Sequence, residues 1–264
     1  MPERRRAAGL HCRALLWRRF DFRESSRIVV LLTREHGRVQ ALAKGAYRPD
    51  SPLLGRLDFL NELDVRLSAD RGGLRLLLRA ELVRERRRLR APARFLCASH
   101  LVELCDFGFP AERADAELFD LCTGGLLLLE RCPEPALAQV VLGLELRLLA
   151  HLGALPDLER CGDCGRALDR QAFVGDAGGL ACRAHAAAPR HAVAPDALRQ
   201  LRELLAAPGR GLPELAVGPL RPTAVDLPAR WLLRALEKRD HLRRHVFHQG
   251  TRHPVAVRGM ESEV

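Results

Sequence analysis

The hydrophobic period of this chain changes once, near residue 83, and that change limits what it can fold into. Before it, apolar and polar residues alternate. Leu10, Cys12, Ala14 and Leu16 are separated by residues such as His11 and Arg13, and Leu63, Val65 and Leu67 by Asp64 and Arg66. A period of two marks strands with one buried face. Ile28 to Thr33 is a run of β-branched residues and leucine, Glu35-His36-Gly37-Arg38 is a turn, and Val39 to Ala43 is extended again, which predicts a hairpin. Leu57 to Ser68 gives a fourth strand. Asp70-Arg71-Gly72-Gly73 then turns the chain into a fifth, Leu74 to Val83. Five short strands without a long helix between them predict a barrel of the OB type, with an SH3-like barrel or an open sheet as alternatives.

Beyond Val83 the period becomes helical. Arg84 to Arg90 is a basic run, and Pro92 then suits a first helical turn. Further helices are predicted over Asp115 to Arg131, Pro135 to His151 (closed by Gly153) and Pro195 to Ala206. Pro208 to Pro228 reads as irregular, and Pro228 opens a last helix to about His245. His241 and His245 in that helix read as part of a basic face. The expected fold class is α+β and multi-domain. An OB barrel over 1–83 precedes a helical domain over 84–159 and 190–250, with a zinc-binding insert at 160–189 and a loosely ordered tail at 251–264.

The insert carries the sharpest motif. Cys161 and Cys164 are followed, seventeen residues on, by Cys182 and His185, giving C-x2-C-x17-C-x2-H. Each pair can place two ligands across a tight turn, and two such turns close a tetrahedron around zinc. Gln171 to Val174 and Gly178 to Ala181 form a hairpin that returns the second pair to the first. His191 is an alternative fourth ligand. A redox C-x-x-C would need a βαβ context, which is missing. Four protein ligands leave no position open for water, so one structural Zn2+ per chain is expected. The other five cysteines lie among apolar neighbours and read as small core residues.

Charge supplies the next constraint. Across 264 residues, 43 Lys and Arg face 33 Asp and Glu, a formal net charge of +10. That excess suggests a polyanion partner, most simply nucleic acid, with the arginine enrichment of a GC-rich genome as the alternative reading. Lys44, Arg48 and Arg56 lie in or beside the connection between strands three and four, with Tyr47 as the stacking ring. OB barrels hold single strands with that combination of cations and aromatics. Phe20, Phe22 and Trp17 are further rings, for which core packing is the favoured role. Arg84, Arg86, Arg87, Arg88 and Arg90 form an auxiliary basic patch.

Several classes are excluded. The longest apolar stretches, such as Val140 to Leu144, fall far short of the roughly 18–20 residues of a membrane helix. Met1 to Leu10 lacks the apolar region of a secretory signal, so a cytoplasmic, nucleoid-associated protein is expected. The sequence has no G-x-x-x-x-G-K-[ST], G-x-G-x-x-G, G-x-S-x-G or H-x-E element. A binding protein is therefore expected rather than an enzyme. A zinc-ribbon transcription or translation factor is the alternative.

Particular residues point further. Ala43-Lys44-Gly45-Ala46, then Pro52-Leu-Leu-Gly55 leading into Leu57 to Leu67, precede helices interrupted by Cys161-Gly-Asp-Cys164-Gly165 and Gly178-Gly179-Leu-Ala-Cys182. In this order of parts the chain resembles the bacterial recombination mediator family RecO. The tail Pro254 to Arg258 resembles that family's basic terminal segment. His185 stands where many zinc-bearing members have a fourth cysteine. The resemblance implies binding of single- and double-stranded DNA and annealing of complementary strands. It also implies partnership with single-stranded DNA-binding protein and a RecR-like mediator, and help in loading recombinase onto coated strands.

Overall fold

Alternation in the first segment becomes a closed five-stranded barrel in the computed structural model, which describes residues 9–70, 74–108, 113–168, 171–187, 192–215, 217–236 and 242–247. Its strands are β1 (Leu10–Phe22), β2 (Ser26–Thr33), β3 (Gly37–Ala43), β4 (Glu62–Leu67) and β5 (Arg75–Arg84), ordered β1-β2-β3-β5-β4. β1 pairs with β4 to complete the circuit. The one parallel joint is β3 with β5, a short seam pairing Ala41 with Arg75 and Leu42 with Leu76. This is an OB-like barrel. Of the turn expected at Asp70 to Gly73, only Asp70 falls among the described residues.

The alternation has a second use. Ala14, Leu16, Val29, Leu31, Leu63 and Val65 fill the barrel. Leu15, Trp17, Val30 and Leu32 point the opposite way and join the core of the helices. β1 therefore buries four consecutive residues, Ala14 to Trp17, because both its faces are covered. Its pairing to β2 steps at Trp17: Leu16 faces Leu31, yet Arg18 faces Val30. This bulge keeps Arg18 and Phe20, which faces Ile28, on the side of Val30 and the helices.

The helices are α1 (Pro92–Gly108), α2 (Ala116–Arg131), α3 (Leu137–His151), α4 (Pro195–Ala206), α5 (Pro222–Leu236) and α6 (Arg243–Phe247). α3 is the centre of the bundle, buried from Val140 through Leu146, as its apolar content predicts. Gly125 of α2 permits that packing, since a Cβ there would lie 2.9 Å from a Leu101 methyl and 3.1 Å from one of Leu144. Asp115 caps α2 by accepting from the Leu118 N–H at 2.9 Å. Among the described residues no helix is long and apolar enough to cross a membrane.

Two expectations change. The last long helix starts at Pro222, six residues before Pro228, which sits inside it. Proline is tolerated in a first turn, and burial of Leu227, Trp231 and Leu232 offsets the hydrogen bond that Pro228 cannot donate. The His241 to His245 segment is not a simple basic face. His241 lies outside the described residues, and Arg243 is buried, donating to both Glu145 oxygens at 2.8 Å. Glu145 also pairs with His100 at 2.8 Å, so this acid at the centre of α3 holds α1 and α6 together. The proposed tail, 251–264, lies outside the described residues.

Candidate metal centre and nucleic-acid interface

Between α3 and α4 the chain forms a small three-stranded sheet of β6 (Ala172–Val174), β7 (Leu180–Ala181) and β8 (Ala192–Val193), with β6 in the middle. Phe173 pairs with Ala181 and Val174 with Leu180, the hairpin expected from the sequence. One knuckle precedes it. The Gly165 amide donates to the Cys161 carbonyl at 2.9 Å, with Gly165 at φ +70°, where a side chain would be strained. A second, single turn follows, with the His185 amide donating to the Cys182 carbonyl at 3.0 Å. The Gly162 amide donates to Leu180 O at 2.9 Å and ties the first knuckle to the strand that leads to the second. The lobe is docked by α5, where the Trp231 indole N–H donates to Gly178 O at 3.0 Å.

These turns bring together the four expected ligand atoms, all within 4.8 Å of one another. Cys164 Sγ lies 3.8 Å from Cys182 Sγ. His185 Nδ1 lies 3.7 Å from Cys161 Sγ and 3.4 Å from Cys182 Sγ. A tetrahedron drawn with zinc's usual bond lengths has S–S edges of about 3.8 Å and S–N edges of about 3.6 Å, so the spacing fits one such ion. The electrostatics agree. Backbone N–H groups, that of Cys182 foremost, bring the Cys161 thiol down to about 6. The Cys182 thiol is lowered by its bond to His185, and the imidazole is raised in return by the two sulfurs. Cys164 is held by the Arg166 amide yet raised overall by desolvation and the neighbouring sulfurs. Thiolates crowded this closely repel one another, and a divalent cation among them removes that repulsion. His191 lies outside the described residues.

The expected cations around the barrel divide into two groups. Lys44 and Arg48 are exposed on the β3–β4 connection. Arg56 is half-buried and donates to Ala80 O at 2.8 Å, tying that connection to β5. Tyr47 is 37% exposed, but the Arg27 guanidinium lies over its ring at 3.7 Å. The Tyr47 hydroxyl donates to Asp21 and accepts from Arg27. Arg27 itself is lowered by burial, with Arg19 nearby adding to the effect. Arg27 and Arg19 both donate to Leu57 O, at 3.3 and 2.9 Å. Sequence reasoning passed over both arginines, which sit in strands whose pattern shows only the alternation.

The basic run is not one patch. Arg86 is only 5% exposed and pairs with buried Glu130 at 3.4 Å, so it offers no surface to a phosphate backbone. Burial lowers this guanidinium, and Glu130 counteracts the effect. Arg84 approaches the same carboxylate at 3.8 Å. Arg87 pairs with Glu85 at 2.6 Å, and Arg90 bridges Glu85 and Asp58, both at 2.9 Å. Arg88 is exposed and has no ion pair among the described residues. Arg84 and Arg86 thus fasten the barrel to α2, and Arg90 ties the segment back to Asp58 in the β3–β4 connection.

Trp17 is fully buried as expected, donating to Asp106 at 2.5 Å. Phe20 is not a core residue: it is 51% exposed.

Comparison with known proteins covers both halves of the chain. Residues 9–86 match Recombination protein O N terminal and residues 89–220 match Recombination protein O C terminal. Among curated relatives, the DNA repair protein RecO of Heliobacterium modesticaldum is 34% identical over 215 residues, 78% of this chain and 77% of the relative. That of Rhodopirellula baltica is 34% identical over 206 residues, 74% of each. That of Exiguobacterium sibiricum is 32% identical over 183 residues, 68% of this chain and 71% of the relative. The barrel, the helical bundle with its cysteine–histidine lobe and these matches together place the chain in the RecO family.

Proposed function

We propose that this chain acts in DNA repair and recombination as a non-enzymatic mediator. In this reading it binds single- and double-stranded DNA, anneals complementary strands and helps load recombinase onto strands coated by single-stranded DNA-binding protein. The observation that carries the reading is an OB-like barrel with exposed Lys44 and Arg48 beside Arg27 and Tyr47, in a chain of net charge +10. Annealing needs two phosphate backbones neutralised without reading of bases, and cations on an open surface do this. A RecR-like mediator and single-stranded DNA-binding protein are the proposed protein partners, and the cytoplasm, at the nucleoid, the proposed location.

Zinc held by Cys161, Cys164, Cys182 and His185 has a structural part in this reading. It would close a lobe that is too small to have a core of its own. The decisive experiment is annealing of complementary strands by the full chain, bare and coated, with and without the RecR-like partner. Annealing of coated strands is the expected result. Sequence-specific binding without annealing would overturn the reading.

A further inference from the structure

Where β1 leaves the barrel and passes α1, above the buried Trp17, there is an open groove of about 580 Å³ lined by Phe20, Phe59 and Val102, with Arg18, Arg19 and the acid Glu103 at its sides. Its aromatic content is unusual for a chain with only 5% aromatic residues. Phe20, in the groove, is 51% exposed, and Phe95 on α1, beside the lining rather than in it, is 47% exposed. Phe59 and Phe95 meet edge to face, with centroids 5.7 Å apart. That geometry satisfies an edge of the pair and leaves ring face uncovered. Half-exposed phenylalanines beside a groove leave apolar surface in water, and covering that surface with a flat partner is favourable.

The rim supplies the second half of the argument. Arg18 is half exposed at the side chain, while its partner Asp106 is only 10% exposed. Arg19 and Arg90 share Asp58, at 2.8 and 2.9 Å, and both are more exposed than that acid. Asp106 lies beneath Arg18, whereas Asp58 is itself 32% exposed between Arg19 and Arg90, and Arg90 also meets Glu85 at 2.9 Å. A guanidinium has five donors and a carboxylate engages at most two, so donors remain for an anion passing over the groove. Arg19 also joins this rim to the Arg27–Tyr47 cluster through Leu57 O, so the groove continues from the barrel cations.

We infer that this groove is a stacking subsite for unpaired bases of a single strand, with Phe20 and Phe95 as the platforms and Arg18, Arg19 and Arg90 along the backbone. The inference rests on the DNA-binding reading above. It gives single strands a contact that Tyr47, with one face covered by Arg27, offers only in part. Bases in a duplex are already stacked on each other and cannot reach the rings, whereas a base in a single strand can. Such binding is tolerant of sequence, because every base has a π face.

The test compares the full chain with F20A, F95A and the double variant, using an oligothymidylate strand and a duplex of equal length as probes. Both rings are exposed, so the fold tolerates the changes. The dissociation constant for the single strand is expected to rise roughly tenfold per ring lost, with the duplex affinity unchanged. Phe20→Trp should retain or tighten single-strand binding. A 2-aminopurine in the strand should be quenched by the parent chain and recover its emission with the double variant. Equal loss for strand and duplex would overturn the inference, as would unchanged affinity for both. If the parent chain binds no nucleic acid, the DNA-binding reading falls, and this inference with it.

Discussion

Lys44 and Arg48 differ from every other cation expected at the interface in being exposed and without a carboxylate partner among the described residues, Arg88 excepted. Each released counterion adds to the salt dependence of binding, by about 0.7 per phosphate contact on a single strand. K44A/R48A is therefore expected to lower the slope of log K against log salt by about 1.4, measured by titration at several salt concentrations. Arg56→Ala is expected to act differently, by loosening the Ala80 contact and lowering stability rather than changing the slope. Asp115 gives a residue-scale test of folding. Although burial opposes it, hydrogen bonds from the Leu118 amide and His151 hold this carboxyl below its usual value. A lowered folded pKa gives stability that is present above the unfolded value near 3.9 and lost as pH falls through the folded value. D115A should cost about 1 kcal/mol near neutrality. That difference should shrink below about pH 4 in urea titrations, whereas D115N should retain most of the cap.

At the scale of elements, the five barrel strands, the hairpin of β6 and β7, α1 to α4 and the metal knuckles were legible in the sequence, for a physical reason, whereas β8 was not. Hydrophobic period, capping residues and ligand spacing are local, and each is written in consecutive residues. The roles of Arg86 and Arg243 were not legible. A run of arginines reads as a solvated face unless one knows that Glu130 and Glu145 wait behind it, 44 and 98 positions away. Phe20 was misplaced for a similar reason, because the bulge at Trp17 turns it outward. The cysteine–histidine lobe makes its own prediction. Its strands are two or three residues long and cannot persist unaided. Cys161→Ser, or a strong chelator, should release about one zinc ion per chain, measured by elemental analysis. Amide exchange should then quicken over 160–187 while α3 stays protected. A purified chain with no bound metal and full protection of the lobe would refute the zinc assignment.

For the whole molecule, the decisive fact is that the barrel and the helices share a core. Leu15, Trp17, Val30 and Leu32 belong to the helical cluster although they sit in barrel strands. Barrel and helices are therefore expected to unfold together. In a W231F background, leaving Trp17 as the only tryptophan, fluorescence and helical circular dichroism should give coincident urea transitions. Leu32→Ala should cost roughly 2–5 kcal/mol and move both signals together. Two separate transitions would show that the shared face contributes little. The bulge at Trp17 has a consequence for the history of such a chain. β1 serves one core with its even positions and another with its odd ones, and the extra residue resets that assignment midway. Losing or gaining a single codon there would exchange the inward and outward sets over the rest of the strand, driving charged Arg18 toward the barrel interior. Point substitutions can accumulate along β1 one at a time. Changes in its length cannot, so length variation among descendants should collect in the surface connections and leave this strand alone.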